Sequence, residues 1–550
     1  MNIKNLLVIL SSITLAASLN CEELKKKICS SCNGDNYQCK TDENNKIYSL
    51  SINNQNFSNG IPETIFSVTS LKELNLVNNT ITSVPQKIEK FKKLIKLDIS
   101  TNKLRNLPKN IEKLNNLKNL TLDNNCLESI PNFIDQRKIE VTFENNSIDK
   151  CVTLPVLRVE TPDRVEITSK ENWITNTTIS ISNAKNEEWN FKAVKTSIRG
   201  RGNTTWQKPK KPYAFKLDIE QSIMGMLPHK RWVLIANYLD NTFMRNDMAF
   251  YLSQQLEMDY TVHGDFVILI MNGKYQGLYW LGEAIKVDKN RVNINNGSMD
   301  MTDNEDKDYL IEMDTYFDEP VQFKSSIRQM PYSIKNNDYM IDENETMTTG
   351  GKARLERFQK KITELEKLLY PNYKKVLHLN FCSAPDESYT KILDIDSWAK
   401  FWLINEIMSN TEMKHPKSCY FTYDSSTNLI KAGPVWDFDW ASLYKSPICT
   451  LKDTIYYNAL FKSPTFVKHL KTIWNQYYQN ISRDIENQIE FLRNKISTET
   501  EYDTLLWGKH NDPTIIPSTL LRKDFDAYVD FLKSTILNKL SVVNNTVKKL

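Results

Sequence analysis

The chain has 550 residues and a formal net charge of +4, and 40% of its residues are hydrophobic while 25% are charged. This composition is typical of an ordinary globular protein with two or three domains. Because the charge is nearly balanced, it gives no support to nucleic-acid binding, and any basic site must be local.

Residues 1–20 have the pattern of a cleavable secretory signal. Lys4 precedes an apolar run from Leu6 to Ala17, which is too short to span a bilayer, and small residues follow it. No other apolar run of about 18 residues exists, and the final residues SVVNNTVKKL lack the hydrophobic end of a lipid-anchor signal. We therefore expect a soluble exported protein, secreted or at the cell surface, without a transmembrane segment.

The nine cysteines are unevenly distributed along the chain. Residues 21–46 form a Cys-rich cap with four of them, which we expect to make two disulfides of open connectivity in an oxidising compartment. The alternative is a zinc site at Cys29-x-x-Cys32. The odd total leaves at least one thiol free or intermolecular. The four clustered cysteines are Cys21, Cys29, Cys32 and Cys39.

A repeat follows the cap and fills residues 47–151. The segments LKELNLVNN, LIKLDISTN and LKNLTLDNN begin at Leu71, Leu94 and Leu117, each 23 residues after the last, in the pattern of leucine-rich repeats. Imperfect copies on either side give about five coils. The leucines should line a stacked interior, and a Cys126 to Cys151 disulfide should cap the end. The asparagines at Asn79, Asn102 and Asn125 should turn inward to bond backbone groups.

The repeat has two possible roles, since nothing in it identifies a ligand. It is either a spacer and stabilising cap or a ligand-binding horseshoe.

After Cys151 the periodicity stops, and residues 154–550 read as one α+β domain. We expect a β-rich first half and a helix-rich second half that begins near Arg354, together resembling a two-lobed fold. The expected elements before Arg354 are strands to Asp218, a helix over 246–256, strands over 266–270 and 277–285, and further strands to Phe323.

The segment Arg199-Gly200-Arg201-Gly202-Asn203 has the composition of an anion-binding loop. Glycine lets backbone N–H groups approach an anion, and arginine adds charge-assisted bonds. By itself this is a weak signal, because such turns between strands are common. Lys216 alternates with apolar neighbours, so it projects from the opposite face of a strand, where a lysine is more often solvated than a ligand.

Taken together, six segments of the chain closely resemble the CotH protein kinase family, which is named for a spore coat protein. The resemblance covers about Ser197 to Ala441, and it is looser over the helical residues 442–550. The segments are SIRGRGNTTWQKPKKPYAFKLD, MGMLPHKRWVLIANYLDNTFMRNDMAFYLS, MNGKYQGLYWLGEAIKVDKNRVNI, DYLIEMD, HPKSCYFTYD and GPVWDFDWA.

The resemblance implies an atypical, two-lobed protein-kinase-like domain that transfers the γ-phosphoryl group of ATP to protein side chains with Mg²⁺ or Mn²⁺. Such chemistry needs carboxylates for the metal, a cation for the phosphates and a carboxylate near the attacking hydroxyl. In WDFDWA, Asp437 and Asp439 lie two apart, so in an extended segment both would face one side and grip the metal. The alternative is a pair of solvent-facing strand aspartates.

The same resemblance implies roles for the basic segment. Lys216 would neutralise the α- and β-phosphates, with Lys211 as its rival, and the covering-loop contacts would be Arg201, Gly202 and Asn203. Glu283 would either pair with a cation or lie near the adenine edge. The Arg245-Asn246-Asp247 segment would order the site, or would simply cap a helix.

The chain departs from the family after the helix WAKFWLINEIMSN. The family commonly has an aspartate there as the substrate-orienting base, whereas this chain has Glu412, which has the same proton chemistry and one more methylene.

Asn203 is also the acceptor of an Asn-Thr-Thr sequon, and a glycan there would obstruct nucleotide entry. In a eukaryotic host, further sequons at Asn56, Asn78, Asn119, Asn176 and Asn480 would make the chain a glycoprotein.

The sequence therefore supports two hypotheses. The first is a secreted, ATP-dependent Ser/Thr kinase whose leucine-rich repeats bind protein substrates such as extracellular, coat or wall proteins. The second is a catalytically inactive extracellular adhesion or structural protein of the same family. A polysaccharide-active enzyme is disfavoured, because two carboxylates on one strand do not face each other across a glycosidic bond.

Overall fold

The computed structural model describes residues 19–58, 60–297, 307–373, 383–443, 446–512, 517–521 and 523–550. Most of the predicted secretory signal, residues 1–18, lies outside the described residues, as does Cys382. The chain divides into two compact units. The first unit is Met1–Arg164, Thr178–Val194 and Val267–Gly277, and the second is Val165–Thr177, Lys195–Phe266 and Leu278–Leu550.

The described residues form a mixed α+β structure, as the sequence predicts. The helices are α1 (Cys21–Ile28), α2 (Arg245–Gln255), α3 (Thr349–Leu369), α4 (Ile395–Ile407), α5 (Tyr457–Leu460), α6 (Pro464–Trp507) and α7 (Phe525–Lys549). The strands are β1 (Tyr37–Thr41), β2 (Ile47–Ile52), β3 (Glu73–Asn75), β4 (Lys96–Asp98), β5 (Asn119–Thr121), β6 (Glu140–Thr142), β7 (Val156–Glu160), β8 (Ile174–Ser182), β9 (Phe191–Gly200), β10 (Tyr213–Gln221), β11 (His229–Ile235), β12 (Gly264–Met271), β13 (Lys274–Glu283), β14 (Tyr309–Met313), β15 (Gln322–Lys324), β16 (Pro331–Ile334), β17 (Cys419–Asp424) and β18 (Leu429–Ala432). Among the described helices, none combines the length and apolar character needed to cross a membrane.

In the first unit, the leucine-rich repeats form a parallel sheet from β2 to β6, and β1 adds to its edge antiparallel. One residue of each coil stands in register with the next, and all but the last are buried. This row is Leu50, Leu74, Leu97, Leu120 and Val141. Stacked apolar rows of this kind supply the core of a solenoid, because each coil buries its neighbour's face.

The predicted inward asparagines are present. The Asn102 side chain accepts hydrogen bonds from the backbone N–H groups of Asn79 and Ile81 at 3.0 and 2.9 Å. Its amide donates to Leu76 O at 2.9 Å. Asn102 is 7% exposed, so these bonds replace water for backbone groups that the tight bend leaves unpaired.

Among the cysteines that the structure describes, three disulfides are formed, Cys21–Cys39, Cys29–Cys32 and Cys126–Cys151. The prediction of two disulfides in the first cluster and one at the end of the repeats is therefore confirmed, and the zinc alternative at Cys29 and Cys32 is not. Cys419 and Cys449 are free thiols.

In the second unit, β9, β10, β11 and β13 pair antiparallel in that order, and β15, β16, β14, β17 and β18 form a second antiparallel sheet. The predicted helix over 246–256 corresponds to α2. The centre of the helical part is α4, whose residues from Ser397 to Ile407 are all buried, and α6 and α7 both pack against it. A helix buried on every side is typical of a domain core.

A buried ion pair ties these helices together. Lys539 Nζ on α7 lies 2.7 Å from Glu406 Oε1 on α4, and both side chains are 0% exposed. The same carboxylate accepts hydrogen bonds from the backbone N–H groups of Thr450 and Leu451. The pair thus fixes the end of α4 that leads into Glu412.

Candidate active site

A cavity of about 500 Å³ opens within the second unit. It is lined by residues from the loop after β9, from β14, from the turn after α4 and from the WDFDWA segment, which the sequence places far apart. The lining includes Lys170, Arg199, Gly200, Arg201, Gly202, Asn203, Lys210, Asn237, Asn246, Glu312, Asp314, Tyr316, Glu319, Lys335, Glu412, Lys417, Trp436, Asp437 and Asp439.

The glycine-arginine loop is a tight turn at one wall of this cavity. Gly202 has φ of 81°, a conformation that favours glycine, and an added Cβ there would lie 2.2 Å from Thr205 Oγ1. A Cβ on Gly200 would lie 2.3 Å from the Trp206 ring. The two glycines therefore allow a close-packed loop whose backbone reaches the cavity.

Arg201 connects this loop to the acidic segment. Its guanidinium lies 5.5 Å from the centroid of the Trp436 ring. Burial lowers the pKa of Arg201, while the charges of Asp437 and Asp439 oppose that change. A cation in this position can pair with an anion as well as with the two aspartates.

Asp437 and Asp439 both line the cavity, but they do not lie on an extended strand as the sequence suggests. The segment is not a strand, and Asp437 has φ of 68°, so alternation along an extended chain does not bring the two carboxyl groups together. They are nevertheless within hydrogen-bonding reach of each other. Burial and the Asp437 carboxylate hold the pKa of Asp439 well above its usual range, and Asp439 is 3% exposed.

Asn246 and Arg245 on α2 hold the acidic segment in place. Asn246 Oδ1 accepts a hydrogen bond from Phe438 N at 2.8 Å, and Arg245 Nη1 donates to Ser442 O at 3.3 Å. The residue at the helix N-cap is Met244, with no side-chain capping bond. Of the two roles predicted from the sequence, Asn246 therefore has the first: it orders the acidic segment and does not cap the helix.

Glu412 enters the cavity from the turn after α4. The Asn410 side chain accepts from Glu412 N at 3.1 Å, and Thr411 N donates to Ala441 O at 2.9 Å, which ties this turn to the acidic segment. Burial and the charge of Asp437 raise the pKa of Glu412 to about 8, and Lys417 acts against this rise. Within the described structure, Glu412 Oε2 is buried without a hydrogen-bond partner.

These carboxylates fit a divalent cation. A bound cation would favour the charged form of each carboxyl group, which burial and mutual repulsion disfavour. No group of three or more His, Cys, Asp or Glu side chains within the described ranges could hold a metal ion by itself. Mg²⁺ is usually bound by one or two carboxylates, with substrate phosphates and water completing the shell, so the pair Asp437 and Asp439 would be enough protein ligands.

Neither lysine singled out from the sequence lines the cavity. Lys211 Nζ instead donates to Trp206 O at 2.6 Å, and Lys216 is an exposed residue of β10. Lys216 pairs in register with Ser197 and Arg231, so it shares a sheet face with Arg199 but lies beyond the cavity wall. The lysines that do line the cavity are Lys170, Lys210, Lys335 and Lys417.

Glu283 is also outside the cavity lining. It is 1% exposed and forms an ion pair with Arg291 at 2.7 Å, and it accepts a hydrogen bond from Tyr260 at 2.8 Å. Of its two possible roles, the structure gives it a cation partner rather than a place at the cavity.

Sequence reasoning missed several residues of the cavity. Glu312 and Asp314 belong to DYLIEMD, a segment that carried the resemblance without an assigned role, and their alternate spacing on and after β14 was the available signal. For Lys417, the available signal was its place in the segment HPKS, a few residues after Glu412. Nothing in the sequence pointed to Lys170, because it precedes every recognised segment.

Comparison with solved structures finds leucine-rich-repeat proteins. A Leptospira interrogans LRR protein is 32% identical over 18% of this chain and 25% of its own, with a TM-score of 0.16. A Listeria monocytogenes internalin is 20% identical over 26% of this chain and 35% of its own, with a TM-score of 0.17. The LRR ectodomain of a receptor kinase from Arabidopsis thaliana is 20% identical over 22% of this chain and 86% of its own, with a TM-score of 0.17. This chain thus spans about a quarter to a third of the first two proteins.

The comparison with curated proteins gave no match. A family model described as leucine rich repeat matches residues 69–127. A second, described as CotH kinase protein, matches residues 198–543, which is more than half of the chain and includes the described cavity residues from Arg199 to Asp439. The chain belongs to the CotH kinase family.

Proposed function

We propose that the protein is an exported atypical protein kinase that transfers the γ-phosphoryl group of ATP to Ser or Thr hydroxyls of other proteins. One observation carries the proposal. The covering loop Arg201 to Asn203, the acid pair Asp437 and Asp439, and Glu412 line one cavity. Cations and backbone N–H groups on one wall and carboxylates on another are the parts that phosphoryl transfer requires.

In this proposal the acidic side holds the metal. Asp437 and Asp439 are its protein ligands, and the buried, unpartnered Oε2 of Glu412 faces the same charges. A bound Mg²⁺ or Mn²⁺ would neutralise charge on the phosphate oxygens. Asn246 keeps the acid pair in place through its bond to Phe438 N, so that the carboxyl groups are positioned before substrate arrives.

Glu412 is the proposed proton acceptor. The substrate hydroxyl oxygen forms a bond to the γ-phosphorus while the bond from that phosphorus to the β–γ bridging oxygen breaks, and ADP leaves. The hydroxyl proton passes to the Glu412 carboxylate. Lys417, close enough to oppose the rise in the pKa of Glu412, would favour the ionised form that accepts the proton.

Arg201 and the loop backbone would cover the phosphates in place of the two lysines that lie outside the cavity. Arg201 is always charged, and its planar group can donate two parallel hydrogen bonds to a phosphate. Lys417 is a second candidate cation, since it lines the cavity and its Nζ lies 5.1 Å from the centroid of the Tyr316 ring.

The leucine-rich repeats would supply protein binding. A chain that carries such repeats beside a kinase-like domain can raise the local concentration of a hydroxyl substrate without altering the chemistry. Export is part of the proposal, supported by the three disulfides, which persist in oxidising compartments.

One observation favours the second candidate, an inactive adhesion or structural protein. Asn203, the sequon acceptor, is an exposed residue of the cavity lining. A glycan attached to an exposed asparagine at this wall would stand in the path of a nucleotide.

The test is phosphate incorporation by the full-length protein, with the chain itself and dephosphorylated casein as acceptors and γ-labelled ATP with Mg²⁺ or Mn²⁺. We expect labelled phosphoserine or phosphothreonine from the wild type and none from the Asp437→Asn, Asp439→Asn protein. Equal labelling by that variant would overturn the proposed site. Nucleotide binding without any labelling would favour the inactive candidate.

A further inference from the structure

The segment Val165–Thr177 precedes the residues matched by the kinase family, yet it belongs to the same compact unit as the cavity. It is held along β9 by one backbone bond and one bond from a side chain. Gly200 N donates to Ser169 O at 2.9 Å, and Arg199 Nη1 donates to Glu171 O at 3.2 Å. The segment therefore lies against the strand that ends in the glycine-arginine loop.

An aromatic side chain strengthens this attachment. The guanidinium groups of Arg199 and Arg231 lie 4.6 and 4.9 Å from the centroid of the Trp173 ring. A guanidinium over an indole ring is attracted by the negative face of the ring. Two such ring contacts, one backbone bond and one bond from the Arg199 side chain therefore hold the segment at the cavity wall.

Lys170 is the residue that this segment places in the cavity. Its Nζ donates to Asn203 Oδ1 at 2.7 Å, so it stands beside the covering loop. The nearest carboxylate is Glu171, at 4.0 Å, and the Lys170 side chain is 37% exposed. Its charge is thus only weakly compensated.

The other cavity lysines are committed elsewhere or lie at the acidic side. Lys210 is 0% exposed and donates to Asp503 at 2.6 Å and to Leu278 O at 2.5 Å. Lys335 forms ion pairs with Glu312, at 2.8 Å, and with Glu319. Lys417 acts on Glu412. At the covering loop, Lys170 is the cavity lysine left to meet an anion.

We propose that Lys170 binds the phosphate chain of the nucleotide together with Arg201 and the loop backbone. The inference rests on the proposed function, because it takes the cavity ligand to be a nucleoside triphosphate. A lysine ammonium has three donors, so it can keep its bond to Asn203 while it donates to phosphate oxygens. The cation for the phosphates would then come from a segment outside the kinase-family match rather than from β10.

The test is calorimetric titration of the full-length protein with Mg·ATP, Mg·ADP and adenosine, comparing the wild type with Lys170→Met. We expect the variant to bind Mg·ATP about tenfold more weakly, since it loses a charge-assisted hydrogen bond to the phosphates, and tenfold corresponds to about 1.4 kcal/mol. Adenosine affinity should not change. Lys170→Arg should retain Mg·ATP binding, and Lys195→Met, at an exposed residue of β9, is the matched control.

Equal Mg·ATP affinity in the wild type and Lys170→Met would overturn the role of Lys170 and leave the proposed function standing. Equal losses for adenosine and Mg·ATP would also overturn it, because they would show a general disturbance of the cavity. A wild type that binds no Mg·ATP would overturn both proposals. Unchanged thermal melting of Lys170→Met checks that the variant folds.

Discussion

The guanidinium of Arg201 lies 5.5 Å from the ring centroid of Trp436, the residue directly before Asp437. This contact joins the end of β9 to the acidic segment. Since both segments line the same cavity, an anion on the loop side and a cation on the acid side would be neighbours. That arrangement suits a metal-bound polyphosphate, in which opposite charges alternate over a few ångströms.

Replacing Glu412 by Gln should reduce phosphoryl transfer without weakening nucleotide binding. The amide keeps the size of the side chain but cannot accept the hydroxyl proton, and such proton transfer contributes about 10²- to 10⁴-fold. Steady-state kinetics would show a fall in kcat of that order, with KM for ATP little changed.

Glu412→Asp is the matched control for this experiment. It keeps the carboxylate one methylene shorter and restores the residue common in the family, so we expect activity within about tenfold of the wild type. Undiminished kcat in Glu412→Gln would remove Glu412 from the proton transfer.

Glycosylation at Asn203 should block nucleotide binding. When the chain is expressed through a eukaryotic secretory pathway, we expect the fraction that carries a glycan on Asn203 to show no thermal stabilisation by Mg·ATP. Peptide mass spectrometry would measure occupancy. Thr205→Ser keeps the sequon and Thr205→Ala removes it. When both variants are produced in this host, we therefore expect full nucleotide binding only from Thr205→Ala. Equal binding by glycosylated and unglycosylated protein would contradict the steric argument.

The buried pair of Lys539 and Glu406 should make single substitutions costly. Lys539→Met leaves the Glu406 carboxylate buried with two backbone donors but no cation, and breaking such a pair costs about 3–5 kcal/mol. The free energy of unfolding in urea should fall by that order. The double variant Lys539→Met, Glu406→Gln should recover part of the loss, and a double variant as unstable as the sum of both singles would show that the pair is not coupled.

Lys307 should make stability depend on pH. It is 0% exposed, and burial lowers its pKa to about 8, with Asp338 opposing and Arg354 adding to the shift. In the unfolded chain the lysine pKa is about 10.4. Between these two pKa values the unfolded state binds more protons than the folded state, so the free energy of unfolding rises with pH. The cost of burying the charged lysine is present below pH 8 and is relieved as the pH rises towards 10.4.

The expected relief is on the order of 3 kcal/mol if the whole interval is crossed. Urea unfolding at pH 7.5 and 9.5 should show the wild type gaining stability relative to Lys307→Met as pH rises. A stability difference that stays constant between the two pH values would contradict the assignment.

The leucine-rich repeats could be predicted almost completely from the sequence. Their contacts are between neighbouring coils, so the spacing of Leu74, Leu97 and Leu120 already fixes the register of the sheet. The asparagine bonds follow for the same reason, because Asn102 bonds to backbone groups of its own coil and of the preceding one.

The cavity could be predicted only in part. Motifs identified Arg201, Asn203, Asp437, Asp439 and Glu412, but they did not identify the lysines that line the cavity. Side-chain alternation on β10 predicts the sheet face on which a lysine lies, but it does not predict how far along the strand the cavity extends. Lys216 lies on the same sheet face as Arg199, but it is farther along the strand than the residues that line the cavity. Lys170 depends on a segment that reaches β9 through a backbone bond and through the contact of Arg199 with Trp173, and partners so distant in sequence cannot be read from spacing.

The acid pair shows that two residues predicted to lie together can be brought together by a local conformation other than the predicted one. Alternation in a strand suggested that Asp437 and Asp439 face one side, whereas the left-handed φ of Asp437 and the bond from Phe438 N to Asn246 bring them together. That bond joins α2 to a segment distant in sequence, and such partners cannot be read from spacing alone.

The central claim is that the glycine-arginine loop and the acid pair form one metal-dependent nucleotide site. Its most direct test is titration of Mg·ATP into the wild type, into Asp437→Asn, Asp439→Asn, and into Asp218→Asn at an exposed residue of β10. We predict binding that requires the divalent ion in the wild type and in Asp218→Asn, and a loss of at least about a hundredfold in the double variant. Binding of equal affinity with and without the divalent ion, or unchanged in the double variant, would contradict the claim.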